Sequence, residues 1–320
     1  MNAVKRKFIL DCDSGTDDAQ ALMMVLAQPD IELLAVMTVF GNANCDKTSR
    51  NCLRILKFKN RLDIPVYKGS DKGLIGDIPF TSNYHGYDGL GDIHIEGVDP
   101  IDIDLIQKEH APVALVRLVN ENPNQITLVA TGPLTNIALA LHLDPQFGTK
   151  LHDIYVMGGN TEGQGNVTPS AEFNFYTDPE AAYFVLNSIG KMINLCSMEV
   201  CERHGFSWEW YEKFTDGKTR SSCLVRDFEH SLITREKQKG IAKSYIMVWD
   251  QLTMASAIKK DLLIQSVNVY ATVELHGMHT RGQLIVDWKK KQNKHQPNVR
   301  LLQQFNQAMF DSLIHMVTKD

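Results

Sequence analysis

The chain has 320 residues, of which 43% are hydrophobic, 22% are charged and 8% are aromatic. This composition is typical of a globular protein with a large core, and it excludes disordered, collagen-like and coiled-coil chains. Lysine and arginine number 33 against 38 acidic residues, so the net charge is −5. Because no long basic block is present, nucleic acid is not an expected partner.

The sequence pattern predicts neither a signal peptide nor a membrane-spanning segment. The opening MNAVKRKFILDCD has only a short apolar stretch before its acids, so we expect no signal peptide. No run approaches the roughly 20 apolar residues that span a bilayer, so a membrane partner is not expected either. The six cysteines lack both the density of a disulfide scaffold and a metal-binding spacing. We therefore expect reduced thiols and a cytoplasmic protein.

Short apolar runs alternate with segments of helical period, which predicts an α/β fold: an open, mostly parallel, Rossmann-like sheet flanked by helices. Such sheets bind their ligands at the carboxyl ends of the strands, where we expect the active site. The predicted strands are 7–10, 33–39, 126–130, 154–157 and 192–196. The predicted helices are 17–28, 45–58, 113–119, 134–141 and 179–186.

The C-terminal third has a weaker pattern. Residues 207–245 are polar and mostly of helical period, which predicts a helical flap or insertion. Beyond it we expect a helix at 251–259, a strand at 267–275 that pairs with 284–287, and a terminal amphipathic helix at 299–317. No repeat or Pro/Gly-rich linker divides the chain, so we expect one large domain over residues 1–320.

Four acids crowd the segment that follows the first predicted strand: Asp11, Asp13, Asp17 and Asp18. The 38 acids in 320 residues would put about one in any eight positions. Helix capping by Asp17 or Asp18 explains one acid but not four. Carboxylates without neighbouring His or Cys suit a hard cation, Ca²⁺ or Mg²⁺, and a loose arrangement of oxygen ligands favours Ca²⁺.

Two other acidic motifs can be compared with this stretch. A calcium loop of the helix-loop-helix type needs Gly at its sixth position and Glu at its twelfth, but Thr16 and Leu22 stand there. An aspartyl-phosphate phosphatase would carry Thr or Val where Gly15 lies. The first is excluded, and a metal-dependent phosphatase stays as a disfavoured alternative.

The stretch DCDSGTDDAQAL resembles the opening motif of the nucleoside hydrolases, Asp-x-Asp-Pro-Gly-x-Asp-Asp. Further blocks match in the same order: VFGNAN, HGYDGLGD, TGPLTNIALA, MGGN and NVTPSAEFNFYTDPEAA. The resemblance covers most of the chain. It implies a Ca²⁺-dependent enzyme that hydrolyses the N-glycosidic bond of ribonucleosides to a free base and ribose.

The resemblance also implies the metal site. The Ca²⁺ ligands would be Asp13, Asp18, the main-chain carbonyl of Thr131, and Asp250. The ion would hold the attacking water and the vicinal ribose hydroxyls together, and Asp13 would accept the proton of that water. Asp11 would orient these groups from behind.

The remaining site residues follow from the same motifs. Asp17 and Asn174 would hold the ribose hydroxyls, while Asn166 and Glu172 would hold the 5′-hydroxyl. With Asp13, the catalytic residues would be Asn42, near the ion, and His85, on a Gly-rich loop over the pocket. Met157 beside the sugar and Phe173, next to Glu172 in its motif, complete the substrate contacts.

Two positions depart from the family pattern. Ser14 replaces the usual Pro, with little expected consequence. Trp249 stands before Asp250, where the inosine-uridine branch carries a His that protonates the leaving base. A Trp there resembles the purine-specific branch, in which the indole stacks on the purine, and stacking is worth roughly 1 to 3 kcal/mol per base. The expected substrates are therefore purine ribonucleosides such as inosine, adenosine or guanosine.

The missing His leaves one alternative from another class: a non-catalytic, metal-dependent sensor of nucleosides or ribose. Family members assemble as dimers or tetramers, so the resemblance implies a homodimer or homotetramer. For Trp208 and Trp210 we expect roles in packing or at a subunit contact, because aromatic residues are enriched in both.

Overall fold

The computed structural model describes residues 4–76, 83–238, 245–291 and 295–320. Its strands are β1 (Arg6–Cys12), β2 (Ile31–Thr38), β3 (Val66–Lys68), β4 (Ile106–Gln107), β5 (Ile126–Ala130), β6 (Asp153–Met157), β7 (Ile193–Cys196), β8 (Phe206–Ser207), β9 (Tyr245–Ile246), β10 (Leu263–Val269), β11 (Ala271–Val273), β12 (Leu284–Val286) and β13 (Val299–Phe305). Its helices are α1 (Thr16–Leu26), α2 (Cys45–Phe58), α3 (Ala111–Glu121), α4 (Thr135–Leu143), α5 (Phe173–Thr177), α6 (Pro179–Ser188), α7 (Met198–Arg203), α8 (Trp208–Phe214), α9 (Arg220–Gln238), α10 (Asp250–Ile258) and α11 (Gln307–Ile314).

In the described part of the chain, nine strands form one sheet in the order β10-β13-β7-β6-β5-β1-β2-β3-β4. Every neighbouring pair is parallel except β10 with β13. The central strand β1 is buried from Phe8 onward, and Asp11 pairs with Met37 on one side and Ala130 on the other. Strands this apolar need cover on both faces, as in other α/β proteins. The α/β prediction is confirmed.

Helices cover the two faces of the sheet and enclose two clusters of buried side chains. Alternate residues of β1 point to opposite faces: Phe8 and Leu10 join one cluster, and Ile9 joins the other. The first cluster packs against α1, α2 and the helices α8 to α11. The second packs against α3, α4 and α6. Together they fix the central strands and, with them, the loops at their carboxyl ends.

The predicted elements of the N-terminal two thirds are confirmed within a few residues, and the predictions 45–58 and 126–130 match α2 and β5 at both ends. The short strands β3 and β4 were not predicted. In the helical region, α8 and α9 confirm the expected helical character; residues 239–244 of the predicted segment 207–245 lie outside the described residues. No helix of the described ranges is both long and apolar enough to cross a membrane.

The prediction of a single terminal helix over 299–317 is wrong. Val299–Phe305 forms β13, which lies between β10 and β7 in the main sheet, and only Gln307–Ile314 is helical. Short apolar runs do not distinguish helix from strand, and pairing on both edges decides for the strand here. The expected strand 267–275 is likewise split into β10 and β11, although β11 does pair with β12 as predicted.

Candidate active site

Four carboxylates converge at the carboxyl edge of the sheet, and we call Asp13, Asp17, Asp18 and Asp250 the carboxylate floor. Asp13 directly follows β1, Asp17 and Asp18 lie in the first turn of α1, and Asp250 begins α10. One carboxylate oxygen from each of Asp17, Asp18 and Asp250 lies within 4.8 Å of the others. Such a group of oxygens could hold a metal ion.

The two carboxylate oxygens of Asp13 differ in their hydrogen bonding. Its Oδ2 accepts a hydrogen bond from the backbone N–H of Asn42 at 2.8 Å. Its Oδ1 is buried and has no hydrogen-bond partner among the described residues. A Cβ on Gly41 would lie 2.2 Å from Asp13 Oδ2, so the close approach of this loop requires glycine. A buried carboxylate oxygen without a partner is an open ligand position.

Asp18 ties the first helix to the neighbouring strand. Its Oδ2 accepts from the backbone N–H of Gly15 at 2.7 Å, and its Oδ1 accepts from the hydroxyl of Thr131 at 2.6 Å. The side chain of Asn42 is within 3.4 Å of Oδ2 as well. These contacts hold the carboxylate in place at the end of β5.

Burial and mutual repulsion raise the pKa values of the floor. Burial raises the pKa of Asp18 to about 7, and the charge of Asp17 adds to this effect. Burial, followed by the charges of neighbouring floor carboxylates, raises the pKa values of Asp13 and Asp250 well above the usual range. Buried like charges repel unless a cation or proton neutralises them, so this arrangement favours a bound cation.

Asp11 lies inside β1, behind the floor, and does not line the cavity. Its Oδ2 accepts from the side-chain amide of Asn136 at 2.9 Å, and its main-chain carbonyl accepts from the N–H of Thr131 at 2.9 Å. Burial raises the pKa of Asp11 to about 7. The residue therefore links β1, β5 and α4 and supports the residues in front of it.

The sugar-side residues predicted from sequence meet around the end of β6. The amide of Asn174 donates to the carbonyl of Thr131 at 2.8 Å and to the carbonyl of Met157 at 3.2 Å. Glu172 caps α5, where its carboxylate accepts from three backbone N–H groups, those of Gly159, Asn174 and Phe175. Despite these bonds, burial raises the pKa of Glu172 to about 7.

His85 is buried against the turn that leads into α1. Its Nδ1 lies 2.8 Å from the hydroxyl of Thr16, and its Nε2 lies 3.6 Å from Asp17 Oδ1. A Cβ on Gly15 would lie 2.9 Å from the imidazole and 2.7 Å from the amide of Asn42. Glycine at this position thus lets both side chains approach the floor. The preceding Ser14 has a φ of 21°, which a proline ring does not permit.

Opposite the floor, mostly apolar side chains form what we call the apolar wall. They come from the start of α8, from α9, from the end of β9 and from the segment between β9 and α10: Trp208, Leu232, Ile233, Ile246, Met247 and Trp249. Trp249 is half-buried, and its backbone N–H donates to Oε1 of Gln251 at 3.0 Å. Trp208, expected from sequence to pack or form a subunit contact, lines the cavity. Trp210 instead stacks between Phe206 and Phe214.

The wall and two members of the floor, Asp17 and Asp250, line one cavity of about 690 Å³. Sites for small molecules usually have such a size. The predicted site residues that line it are Asp17, Asn42, His85, Thr131, Met157, Asn166, Glu172, Phe173, Asn174, Trp249 and Asp250. Asp11, Asp13 and Asp18 lie behind this lining. Sequence reasoning missed Glu229, Leu232 and Ile233, because an isolated acid or a pair of apolar residues on a polar helix carries no recognisable signal.

Comparison with known proteins agrees with this geometry. The family model described as "Inosine-uridine preferring nucleoside hydrolase" matches residues 8–312. The "Pyrimidine-specific ribonucleoside hydrolase RihA" of Enterobacter sp. (strain 638) is 35% identical over 306 residues, which cover 96% of this chain and 95% of that protein.

Solved structures superpose over almost the whole chain. The "Inosine-Guanosine Nucleoside Hydrolase (IG-NH)" has a TM-score of 0.89 at 29% identity and covers 98% of this chain and 99% of its own. The "Purine-Preferring Ribonucleoside Hydrolase from Gardnerella vaginalis" has a TM-score of 0.86 at 25% identity, with 98% of each chain covered. The chain therefore belongs to the inosine-uridine preferring nucleoside hydrolase family and is a ribonucleoside hydrolase that cleaves the N-glycosidic bond.

Proposed function

We propose that this protein is a Ca²⁺-dependent N-ribosyl hydrolase with a preference for purine ribonucleosides. The observation that carries the purine preference is Trp249, which lines the cavity directly beside the floor residue Asp250. An indole in that place offers a large stacking surface for a bicyclic base. The site residues named below have the roles that the sequence motifs imply.

The donor set suits calcium. The floor supplies carboxylate oxygens, and one of them, Oδ1 of Asp13, is buried without a hydrogen-bond partner among the described residues. Hard oxygen ligands with flexible geometry are the preference of Ca²⁺. We assign Asp13, Asp18, Asp250 and the carbonyl of Thr131 as its ligands, and the carboxylate of Asp17 lies beside those of Asp18 and Asp250. When bound, Ca²⁺ lowers the pKa of a coordinated water and positions it.

Asp13 acts as the proton acceptor in this proposal. Its Oδ2 is held by the N–H of Asn42, which leaves Oδ1 to take a proton from the attacking water. As the bond to the base breaks, positive charge develops on the ribose, and the bonding electrons leave with the base, which takes its proton from solvent. The acidic floor stabilises that charge electrostatically, and His85 and Asn42 keep the turn around Asp13 and Asp17 in position.

The sugar is held on the β6 side of the cavity. Asp17 and Asn174 bind the ribose hydroxyls, and Met157 packs against the ring. Asn166, exposed on the lining, and Glu172, next to Phe173, bind the 5′-hydroxyl. The carboxylate of Glu172 already caps α5, so a ribose hydroxyl would add to a network that is in place before binding.

The relatives differ in the base that their names specify, pyrimidine in the curated enzyme and purine in two solved structures. Release of base and reducing sugar from inosine, adenosine, guanosine, uridine and cytidine, each with Ca²⁺ or chelator, tests the proposal. We expect metal-dependent release with the highest kcat/KM for a purine nucleoside. A higher kcat/KM for uridine or cytidine would refute the purine preference, and binding without turnover would indicate a nucleoside sensor.

We further propose a cytoplasmic homodimer or homotetramer. Support comes from exposed apolar side chains in and just after β12, where Ile285 and Trp288 are 41% and 51% exposed. Light scattering of the purified protein gives its mass, and a monomeric mass would contradict this proposal.

A further inference from the structure

A buried cation on α2, Arg54, has no place in the roles described above. It is 4% exposed and does not line the cavity. A guanidinium keeps its charge, so burial at this level needs partners that replace the lost hydration. Within the described residues its partners are Asn51 on the same helix and three positions of the segment 83–99, which carries His85. We call this segment the His85 loop.

The guanidinium of Arg54 joins three points of the His85 loop. Its Nη1 donates to Oδ2 of Asp88 at 3.0 Å. Its Nη2 donates to Oδ2 of Asp99 at 2.9 Å and to the main-chain carbonyl of Ile93. The side chains of Asp88 and Asp99 are only 30% and 16% exposed, so solvent screens these ion pairs incompletely. The rigid fork of an arginine can hold several acceptors at once, which a lysine ammonium does less well.

Asp88 transmits this contact to the backbone around His85. Its Oδ1 accepts from the N–H groups of Leu90 at 2.6 Å and Asp92 at 2.9 Å. Between these two residues, the N–H of Gly91 donates to the main-chain carbonyl of His85 at 2.7 Å. The turn that carries the imidazole is therefore folded around one oxygen of the Asp88 carboxylate, while the other oxygen is held from α2.

Asn51 makes a second link from α2, one turn before the arginine. Its side-chain amide donates to the carbonyl of Asp88 at 2.8 Å and to the carbonyl of Ser14 at 3.2 Å. Ser14 belongs to the turn into α1 against which His85 is buried. The loop that carries the imidazole and the turn that receives it are thus attached to the same stretch of helix.

We infer that Arg54 is a positioning residue for the reaction: it holds the His85 loop against the turn into α1 before the nucleoside binds, and it acts on catalysis through His85. This inference rests on the proposed function, in which His85 keeps Asp17 in position. A ligand that needs a conformation binds more weakly when only a fraction of the protein adopts it. By keeping the loop in place, Arg54 therefore lowers the KM for the nucleoside.

The test is a double-mutant cycle of Arg54→Lys and His85→Ala, assayed in Ca²⁺ with the ribonucleoside that gives the wild type its highest kcat/KM. Lysine keeps the positive charge but loses the fork that joins the three acceptors. In Arg54→Lys we expect KM to rise about tenfold and kcat to change less than about threefold, because bound nucleoside restores the loop. When His85→Ala is already present, the same substitution should change KM less than about twofold.

Arg117→Lys is the matched control, because Arg117 pairs with Glu109 and Glu121 outside the cavity lining. It should leave KM and kcat unchanged. An unchanged KM in Arg54→Lys, or an equal rise in KM with and without His85, would overturn the inference while the proposed function stands. Hydrolysis of no ribonucleoside by the wild type would instead refute the proposed function, and the inference with it.

A second variant keeps the inference testable should Arg54→Lys fail to fold. In Asp88→Asn, Oδ1 can still accept from the loop backbone, but an amide N–H₂ donor faces the guanidinium in place of an oxygen. The same rise in KM is expected, and it should again disappear when His85→Ala is present. If His85→Ala turns over too slowly for a KM, calorimetric Kd values replace it, with Asp13→Asn added to every protein of the cycle. Additive changes in Kd would overturn the inference.

Discussion

The carboxylate floor and the apolar wall border the same cavity but are built differently. The floor stands at the carboxyl ends of central strands and at the first turns of α1 and α10, and its members are held by hydrogen bonds such as Asp18 to Thr131. The wall comes from α8, α9, β9 and the segment after β9, none of which is a strand of the nine-stranded sheet. The core of the fold therefore fixes the carboxylate floor, whereas the apolar wall is built on elements that pack against that core.

This difference follows from what each region has to recognise. Every ribonucleoside carries the same ribose and the same bond to be broken, so the groups that act there benefit from a rigid framework. Nucleobases differ in size and in their hydrogen-bonding edges. A wall built on peripheral helices can change its side chains without disturbing the parallel sheet. The predictions below test this division, from the largest expected effect to the smallest.

Removing the proton acceptor of the floor should have the largest effect. In Asp13→Asn the amide oxygen can still accept from the N–H of Asn42, but no carboxylate remains at the unpartnered position. We expect kcat to fall roughly 10³-fold for every riboside, in the range for loss of a general base. Base release and reducing sugar are measured together, and thermal unfolding checks the fold.

Asp153→Asn is the control for this change, since Asp153 forms a surface ion pair with Lys260. It should leave turnover unchanged. Hydrolysis by Asp13→Asn within tenfold of the wild-type rate would contradict the assigned role, and a loss restricted to purine nucleosides would contradict the division between floor and wall.

A change in the wall should alter base preference more than catalysis. In Trp249→Ala we expect kcat/KM for purine nucleosides to fall about 10- to 100-fold, because stacking on a base contributes roughly 1 to 3 kcal/mol. The rate with p-nitrophenyl β-ribofuranoside should fall less. Tyr183→Ala removes an exposed aromatic side chain outside the cavity lining and is the matched control. Equal losses on all ribosides would show that Trp249 supports the floor instead of the base.

A smaller effect is expected where the loop around residue 85 meets α1. In Thr16→Val the hydroxyl that lies 2.8 Å from His85 Nδ1 is lost, so the imidazole is less firmly oriented toward Asp17. We expect kcat/KM to fall about fivefold, as for one neutral hydrogen bond. Thr149→Val, whose hydroxyl bonds the carbonyl of Gln146 on the surface, is the control. An unchanged kcat/KM would show that the contact does not matter for turnover.

The smallest effect is that of pH on the stability of the metal-free protein; turnover in saturating Ca²⁺ is not the quantity measured. Burial raises the pKa values of Asp11, Asp18 and Glu172 to about 7, above those of unfolded carboxyls. The metal-free folded chain therefore binds more protons than the unfolded chain between about pH 4 and pH 7, and its free energy of unfolding should decrease as pH rises through that window. We expect a Tm in chelator several degrees lower at pH 8 than at pH 5.5, and a smaller difference in Ca²⁺. A metal-free Tm that rises with pH would contradict the raised pKa values of these buried carboxyls.

Much of the floor could be predicted because its residues stand in contiguous motifs. Four acids in eight positions, followed by a helical pattern, were enough to expect a cation site at the end of a strand. The sequence contains almost no pattern that predicts the residues of the wall. Leu232, Ile233 and Glu229 are ordinary residues on a polar helix, and they line the cavity only because α9 packs beside α1.

The same division holds for the fold. Parallel strands buried on both faces leave long apolar runs, so the alternation of strands and helices up to β7 was readable from residue patterns. The sequence by itself therefore determined the fold class, the position of the acidic motif and the family resemblance, because these depend on neighbours in the chain. Only the tertiary structure decided that Val299–Phe305 is a strand between β7 and β10, and that Trp208 and Glu229 face the cavity, because those outcomes depend on contacts between residues far apart in sequence.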